Sequence, residues 1–372
     1  MNRFVEPRVF VLDAPHGVPQ ELSVAQACAR AAISTAASGS WPLLTAALRA
    51  QGAAAALVAA PAAAREQPCH WLDAAHARGW VTPRAGGDID GGGLLPAWQA
   101  HLAQGHVPGD AALLAWPTLP LLSWGDQNDP LSATHTSAHH LSDAALGLYA
   151  IVDTAVALRG VLKAGVRTVQ LRVKRPGAAD AAWATALRAS VRDSLSAADD
   201  HGALLFINDH WRLAAELGAR AVHLGQEDLL ELDARGRAEL RATGLGLGVS
   251  SHAVWELCRA RSLAPRYIAC GPVWPTTTKD MPWRPQGLDN LAWWCRVADA
   301  PVVAIGGILT PEQVRQSAAA GASGVCVLRG LGTDPRLTVA TLQQAFELGR
   351  QEAQAQTGQP VVRLLPTLDD AT

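Results

Sequence analysis

From Gly147 onward, short apolar runs alternate with longer segments of helical pattern, such as those at 211–217, 253–262, 311–320 and 337–353. The runs are nearly continuous in apolar character, which is typical of strands covered on both faces. Strands that alternate with helices predict a parallel sheet with helical crossovers, and eight repeats over roughly 200 residues favour a closed (βα)8 TIM barrel. The eight runs are 147–153, 168–174, 204–209, 221–226, 247–251, 267–273, 302–307 and 324–329.

The chain before Gly147 is richer in Ala, Trp, His and Pro and shows no such repeat. Its pattern predicts a strand at 9–13 and a helix at 23–37, and therefore a smaller α/β-type domain of unknown type. Residues 124–141 are polar and contain Pro, Ser and Thr, which is typical of a linker. We predict four parts, namely an amino-terminal module of unknown function at 1–123, a linker at 124–146, the barrel at 147–356 and a tail at 357–372.

Composition argues against a nucleic-acid-binding, membrane-spanning or secreted protein. The 372 residues carry a formal net charge of −2, which does not indicate a nucleic-acid surface. The Ala-rich stretch at 53–64 contains Pro61 and is too weakly apolar for a membrane span, and the first seven residues do not resemble a signal peptide. We therefore expect a cytoplasmic protein with no membrane partner. The six scattered cysteines form no C-x-x-C pair, so reduced and mostly buried thiols are expected.

Polar residues gather at the last positions of the predicted strands. This is where the active site of a barrel lies, because its βα loops converge at the carboxyl ends of the strands. Placement by chance would scatter such residues over both ends of each strand. The residues concerned are Gln170, Arg172, Lys174, Asn208, Asp209, Gln226, Asp228, Ser250 and the segment 276–279.

Gln170, Arg172 and Lys174 alternate along the second run. Period-two alternation places them on one face of a strand, and in a barrel that face points inward. Two cations in that position require an anion to offset the cost of burying them. The alternative is a strand end whose charges simply reach water.

Asp209 and Asp228 follow neighbouring strands and form a candidate Mg²⁺ site. Mg²⁺ prefers oxygen ligands and is commonly held by one or two carboxylates together with substrate phosphates and water. The alternative is helix capping, by Asp209 for a helix that starts at Trp211 and by Asp228 for one that begins near Leu229. Spacing alone does not decide between the two.

Two further loops suit phosphate. The loop 271–280 is rich in hydroxyls and carries Lys279, and its alternative is a Pro-stiffened surface loop. Gly306 and Gly307 follow the seventh strand, where barrels often bind phosphate, although a Gly pair more commonly marks a tight turn. His223 is expected to be a hydrogen-bonded core histidine, and His252 a neighbour of a helix cap.

Six motifs resemble those of the thiamin phosphate synthase (thiamin-phosphate pyrophosphorylase) family and occur in the family's order. The resemblance covers about 147 to 335, and each motif falls at a predicted strand end. The motifs are QLRVK at 170–174, IND at 207–209, VHLGQED at 222–228, GVSSH at 248–252, GPVWPTTTK at 271–279 and AIGGI at 304–308.

The resemblance implies a role for each matching position. Arg172, Lys174 and Lys279 are the implied catalytic cations, which would grip a pyrimidine diphosphate. Asp209 and Asp228 would hold the implied cofactor, Mg²⁺, against that diphosphate. The remaining implied contacts are Gln170, Asn208 and Ser250 to the pyrimidine, and Thr276, Thr278, Gly306 and Gly307 to a thiazole phosphate. Arg329 stands where the family usually has Ser, and its guanidinium also suits phosphate.

The implied reaction joins a pyrimidine diphosphate to a thiazole phosphate and releases pyrophosphate by a dissociative, Mg²⁺-assisted route. Two alternatives share the barrel: a thiazole tautomerase, which lacks the diphosphate grip, and a non-catalytic phosphate-ligand sensor. Some relatives are fused to a pyrimidine-phosphate kinase, but the segment before the barrel is short for a whole kinase. The expected partners are small molecules, and a homo-oligomer is left open.

Overall fold

The computed structural model describes residues 7–15, 17–34, 40–59, 70–84, 91–124, 146–277, 282–355 and 364–368. The strands are β1 (Arg8–Leu12), β2 (Gln20–Ser23), β3 (Ala55–Ala59), β4 (His70–Ala74), β5 (Arg78–Thr82), β6 (Leu121–Leu122), β7 (Gly147–Val152), β8 (Thr168–Leu171), β9 (Leu204–Asn208), β10 (Ala221–Leu224), β11 (Gly246–Ser251), β12 (Tyr267–Cys270), β13 (Val302–Ala304) and β14 (Gly324–Val327).

The helices are α1 (Val24–Arg30), α2 (Trp41–Ala50), α3 (Gly91–Ala103), α4 (Pro108–Leu114), α5 (Ala155–Lys163), α6 (Ala181–Asp200), α7 (Trp211–Glu216), α8 (Gln226–Glu231), α9 (Ala234–Ala242), α10 (Val254–Arg261), α11 (Gly287–Val297), α12 (Pro311–Ala319) and α13 (Pro335–Ala355). The described residues form two compact units. Unit 1 contains those up to Trp124 together with 253–263 and 365–368, and unit 2 contains 146–252 and 264–364.

Unit 1 is built on a six-stranded sheet in the order β2-β1-β3-β4-β5-β6, and every pair in it is antiparallel. One core is centred on Val9, Leu44, Val58 and Trp71, each fully buried. The predicted strand at 9–13 is confirmed as β1. The predicted helix at 23–37 is shorter, because Ser23 caps its start and α1 already ends at Arg30.

Unit 2 is a closed barrel of eight parallel strands, β7 to β14 in chain order. Each of the eight apolar runs coincides with one strand, although β11 begins one residue before its run, so the predicted (βα)8 fold is confirmed. Most predicted runs extend past the observed strand, as at 168–174, where β8 ends at Leu171. The residues after each strand end begin the βα loops, and these loops carry most of the polar groups.

Aromatic side chains from neighbouring strands fill part of the barrel interior. Tyr149, Phe206 and Tyr267 are at most 1% exposed and contact one another edge to face or tilted, with ring centroids 5.1–5.8 Å apart. Such layers make the interior a packed core, so a ligand site can form only above them, at one end of the strands. Cys28, Cys258, Cys270, Cys295 and Cys326 are free thiols, and Cys69 lies outside the described residues. Among the described helices, none is both long and apolar enough to span a membrane.

Candidate active site

A pocket opens at the carboxyl ends of the barrel strands, and residues from all eight strands or the loops after them line it. It encloses about 1040 Å³ of empty space, counted out to its open mouth. The structure brings together every predicted site residue that it describes. These are Gln170, Arg172, Lys174, Asn208, Asp209, Asp228, Ser250, Thr276, Gly306, Gly307 and Arg329. Thr278 and Lys279 lie outside the described residues, and their roles stay predictions.

The cations reach the pocket from a loop and not from a strand face. Because β8 ends at Leu171, the expected alternation of Gln170, Arg172 and Lys174 along one strand is wrong beyond that residue. The backbone N–H of Arg172 still donates to the Val152 carbonyl, at 2.7 Å, which holds the start of the loop against β7. Lys174 lies farther out and pairs with Asp209, with Nζ 2.6 Å from Oδ2.

Asp209 occupies a left-handed backbone conformation, with φ of 63°, directly after β9. Its backbone N–H donates to the carbonyl of His223 on the neighbouring strand, at 3.0 Å. The following helix, α7, has His210 at its N-cap and no side-chain cap, so the capping alternative for Asp209 is wrong. The carboxylate instead points into the pocket wall beside Lys174.

Asp228 serves partly as a cap. It is the third residue of α8, and its Oδ2 accepts a hydrogen bond of 2.8 Å from the Gly225 N–H. Burial, followed by the negative charge of Asp209, raises the pKa of the Asp228 carboxyl above its usual value. The two carboxylates are therefore close enough to repel each other, and a bound cation would relieve that repulsion.

These two carboxylates match the ligand preference of Mg²⁺. The described residues contain no cluster of three or more His, Cys, Asp or Glu side chains that could hold a metal by themselves. A pair of carboxylates in a pocket that Lys174 and Arg172 also line suits a cation whose remaining ligands come from a phosphate and water. Mg²⁺ binding itself stays a prediction.

A chain of hydrogen bonds between side chains of five strands crosses the barrel at the floor of the pocket. Gln170 Nε2 donates to Tyr149 Oη at 3.2 Å, and that hydroxyl lies 3.0 Å from Tyr267 Oη. His223 joins Tyr267 to Ser250, with Nδ1 2.7 Å from Tyr267 Oη and Nε2 2.8 Å from Ser250 Oγ. The network therefore positions Gln170 and Ser250, the two predicted substrate contacts at its ends.

Protonation states in this network follow from burial. Desolvation lowers the pKa of His223 to about 4, so its ring is neutral near pH 7, with one nitrogen donating and the other accepting. Desolvation also raises the pKa of Tyr149 and of Tyr267 well above the usual value, so both hydroxyls keep their protons. Each of these groups is uncharged and hydrogen-bonded, so burying its polar atoms costs little free energy.

The buried side chain of Asn208, in contrast, is not fully hydrogen-bonded. Its side chain is 4% exposed, and Nδ2 is buried without a hydrogen-bond partner among the described residues. An unsatisfied buried donor costs roughly 1–3 kcal/mol. An acceptor atom on a ligand bound in the pocket would offset that cost after a small rotation of the amide.

The loops after β12 and β13 are held against each other on the opposite wall. Val273 N–H donates to the Ile305 carbonyl at 2.9 Å, and Trp274 N–H to the Gly306 carbonyl at 3.1 Å. Gly307 has φ of +74°, and a Cβ there would lie 2.5 Å from the Trp274 carbonyl oxygen. Only glycine therefore fits at this position. Gly307 has the structural role of a tight turn, which was the alternative to phosphate binding, and it also lines the pocket.

Arg329 extends from the loop after β14 toward the loop after β12. Its Nη1 donates to Thr277 Oγ1 at 3.2 Å, and both side chains are exposed. The guanidinium thus stands on the same side of the pocket as Thr276, Gly306 and Gly307.

The sequence alone indicates only structural roles for His223 and His252. His223 is the hydrogen-bonded core histidine that was predicted, but it also lines the pocket. His252 is the predicted neighbour of a helix cap, because Ala253 is the N-cap residue of α10. It also lines the pocket and stacks on Trp283, with ring centroids 5.3 Å apart and planes 7° apart. The signal available was its place, one residue after a strand end.

Comparison with known proteins places the similarity on the barrel. A family model described as thiamine monophosphate synthase matches residues 148–331. The thiamine-phosphate synthase of Neisseria meningitidis serogroup A is 42% identical over 205 residues, which cover 54% of this chain and 95% of that protein. The thiamine-phosphate synthase of Rhizobium etli is 42% identical over 197 residues, covering 52% and 91%. A solved thiamine phosphate pyrophosphorylase from Pyrococcus furiosus is 26% identical, covering 55% of this chain and 96% of that chain, with a TM-score of 0.47.

Proposed function

The chain belongs to the thiamine monophosphate synthase family, and from this we propose its reaction. It condenses 4-amino-5-hydroxymethyl-2-methylpyrimidine diphosphate with 4-methyl-5-(2-phosphoethyl)thiazole to give thiamin phosphate and pyrophosphate. The observation that supports this most strongly is the convergence of Arg172, Lys174, Asp209 and Asp228 on one pocket. Two cations beside two carboxylates form a site for an anion that carries its own divalent cation.

The diphosphate lies on the β8–β10 side of the pocket in this proposal. Arg172 and Lys174, together with Lys279, supply positive charge to its oxygens, and Asp209 and Asp228 hold Mg²⁺. When bound, Mg²⁺ supplies further positive charge to the leaving diphosphate. A magnesium diphosphate would compete for both members of the Lys174–Asp209 pair, whose Nζ and Oδ2 are 2.6 Å apart. The lysine would turn to a phosphate oxygen and the aspartate to the metal.

The pyrimidine lies over the buried network. Gln170 uses its Nε2 to donate to Tyr149, which leaves its amide oxygen to accept from the amino group of the ring. Asn208 offers the donor that lacks an acceptor, and Ser250 is held in place by His223. Three positioned polar groups on an otherwise packed floor fix the orientation of a flat ring.

The reaction is dissociative in this proposal. The bond between the pyrimidine methylene carbon and the diphosphate oxygen breaks, and its electron pair leaves with the diphosphate. Arg172 and Lys174 stabilise the negative charge that develops there, and the electron-rich aminopyrimidine stabilises the cation left behind. The lone pair of the thiazole nitrogen then forms the new C–N bond.

This route requires no nucleophile from the protein. Cys326 lines the pocket, but burial raises the pKa of its thiol well above the usual range, so the thiolate is scarce near neutral pH. His223 is neutral and engages both ring nitrogens in hydrogen bonds. The chain's own work is therefore to bind, orient and stabilise charge.

The thiazole phosphate lies on the opposite wall. The Gly306–Gly307 backbone, Thr276 and Thr278 receive the phosphate, and Arg329 adds a charge-assisted donor beside them. The hydrogen bond from Arg329 to Thr277 keeps the guanidinium on this side of the mouth. An arginine in place of the usual serine is thus compatible with phosphate binding.

The test is to incubate the purified full-length protein with both substrates and Mg²⁺, and to measure thiamin phosphate and pyrophosphate. We expect equal amounts of both products, and their loss when the divalent cation is chelated. A non-catalytic sensor would bind the substrates and form neither product. A tautomerase would isomerise a thiazole phosphate in the absence of the pyrimidine. The cytoplasmic location and the oligomeric state stay predictions.

A further inference from the structure

Helix α10 is buried along its whole length, which is unusual for the outer helix of a barrel. Every residue from Val254 to Arg261 is buried, although the helix carries Glu256, Arg259 and Arg261. A helix that covers a barrel sheet normally keeps a polar face in water. In chain order α10 connects barrel strands β11 and β12, yet in space it belongs to unit 1.

The polar side chains of α10 form hydrogen bonds with other residues of unit 1. Arg259 Nη2 donates to the Arg78 carbonyl at 3.0 Å, and Arg261 Nη1 donates to the Leu119 carbonyl at 2.9 Å. The indole Nε1 of Trp124 donates to Ser262 Oγ at 3.2 Å, just after the helix ends. Buried guanidinium groups that donate to backbone carbonyls show that α10 is packed as an integral helix of unit 1.

The first turn of α10 is capped from a distant part of the chain. Asp110 on α4 is 2% exposed, and its Oδ1 accepts from the Trp255 N–H at 2.9 Å. Its Oδ2 accepts from the Val254 N–H at 3.3 Å. The local N-cap residue, Ala253, has no side-chain acceptor to offer. Asp110 therefore performs the task that Ser, Thr or Asp performs at an ordinary N-cap, from 144 positions away along the chain.

This cap lies two residues beyond the pocket wall. Strand β11 ends at Ser251 and α10 begins at Val254, so only His252 and Ala253 connect them. Ser250 and His252 both line the pocket. A two-residue connection has little slack, so a shift of the first helical turn is transmitted to these side chains.

We propose that Asp110 is a positioning residue of the synthase: by fixing the first turn of α10, it sets Ser250 and His252 for binding of the pyrimidine diphosphate. The segment before the barrel is then part of the catalytic apparatus, without supplying a group that touches substrate. This inference rests on the proposed function.

The test compares Asp110→Ala and Asp110→Asn with the unmodified full-length protein at pH 8. Burial raises the pKa of Asp110 to about 7, so its carboxyl is mostly ionised at that pH. Asp110→Ala removes both acceptors. We expect the KM for the pyrimidine diphosphate to rise about tenfold, because misplaced Ser250 and His252 would lose binding free energy equivalent to roughly one hydrogen bond. The KM for the thiazole phosphate should not change, because its predicted contacts follow β12 to β14. Asp110→Asn keeps one acceptor and should give a smaller rise.

The decisive variant restores the cap locally. Ala253 has the extended backbone of an N-cap, with φ of −139° and ψ of 167°, so Ala253→Ser can supply an acceptor from its own position. In the Asp110→Ala background, Ala253→Ser should return the KM for the pyrimidine diphosphate toward the unmodified value. Hydrogen exchange of the 254–258 amides should speed up in Asp110→Ala and slow again in the double variant.

A matched control removes a cap that has no connection to the pocket. Asp233 caps α9, its side chain accepting from the Gly236 N–H at 2.7 Å. Asp233→Ala should lower the unfolding temperature and leave both KM values unchanged. The inference is overturned if folded Asp110→Ala or Asp110→Asn shows unchanged KM values, or if both KM values rise equally. An unmodified protein that forms no thiamin phosphate would instead defeat the proposed function, whatever these variants do.

Discussion

Lys174 Nζ lies 2.6 Å from Asp209 Oδ2, so the loops after two adjacent strands, β8 and β9, meet through an ion pair at the pocket wall. The lysine side chain is 52% exposed and the aspartate 18% exposed. Solvent screens a pair of this kind, and such pairs typically contribute no more than about 1 kcal/mol to stability. A small structural contribution together with a central position indicates that these residues serve ligand binding.

Replacing Asp209 should separate these two contributions. Asparagine tolerates the left-handed backbone at this position, with φ of 63°, better than alanine does, so Asp209→Asn is the cleaner variant. We expect turnover to fall about 100-fold or more, with a higher Mg²⁺ requirement, while the unfolding free energy changes by about 1 kcal/mol or less. Steady-state kinetics across a Mg²⁺ titration and denaturant unfolding give the two quantities.

The control for Asp209→Asn breaks an ion pair of equal length elsewhere. Arg188 Nη1 lies 2.6 Å from Glu216 Oε1 on the outer helices of the barrel. Glu216→Gln should leave kcat and the Mg²⁺ requirement unchanged. Unchanged Mg²⁺-dependent turnover in Asp209→Asn would remove this residue from the metal site.

Gly307→Ala tests the wall assigned to the thiazole phosphate. The added Cβ would meet the Trp274 and Pro275 carbonyl oxygens at 2.5 and 2.7 Å, in a backbone conformation that alanine disfavours. We expect a loss of about 1–3 kcal/mol in unfolding free energy and a higher KM for the thiazole phosphate. Gly177→Ala, whose Cβ meets nothing within 4 Å, should change both quantities little. Equal behaviour of the two variants would contradict the close packing of the β12 and β13 loops.

Arg329 should bind the phosphate of the second substrate. Arg329→Ala is expected to raise the KM for the thiazole phosphate about tenfold with little change in kcat, since one charge-assisted hydrogen bond is lost in ground state and transition state alike. Arg329→Ser, which keeps a hydroxyl donor, should be less impaired. Arg336, an exposed arginine paired with Asp334, provides the control as Arg336→Ala. A KM for the thiazole phosphate that is unaffected in Arg329→Ala would exclude this contact.

His223 should make the barrel sensitive to acid. Burial lowers its pKa to about 4, against the usual 6.5. Between pH 6.5 and pH 4, His223 is therefore protonated in the unfolded chain but neutral in the folded barrel. The stability linked to this residue is therefore complete above pH 6.5 and is lost as the pH falls toward 4, by about 3 kcal/mol in total.

The measurement is the unfolding free energy of the original protein and of His223→Gln between pH 4 and pH 8. His223→Gln should be less stable at pH 8, because a buried hydrogen-bonded network is disturbed, but its stability should decline less steeply between pH 6.5 and pH 4. His70 in unit 1, whose pKa burial also lowers to about 4, adds the same kind of slope to both proteins and cancels in the difference. Parallel curves would show that His223 is not buried in its neutral form.

The alternation of strands and helices was readable from the sequence, because burial on both faces forces a barrel strand to be apolar and a Gly or a cap to mark most boundaries. The position of Asp209, Asp228, Ser250 and Gly307 at strand ends was equally readable. A parallel barrel brings the carboxyl ends of its strands to one mouth. The local sequence pattern was therefore enough to predict which residues form the candidate site.

Other features depended on contacts between residues far apart in the chain. Nothing local marks Tyr149 and Tyr267 as partners across the barrel, since the pairing follows from strand register and closure. Nothing near Ala253 shows that its helix is capped by Asp110, or that Arg259 is buried. Sequence pattern reports which side chains prefer to leave water; only the tertiary structure decides which buried polar groups find each other, because that depends on distances that chain spacing does not encode.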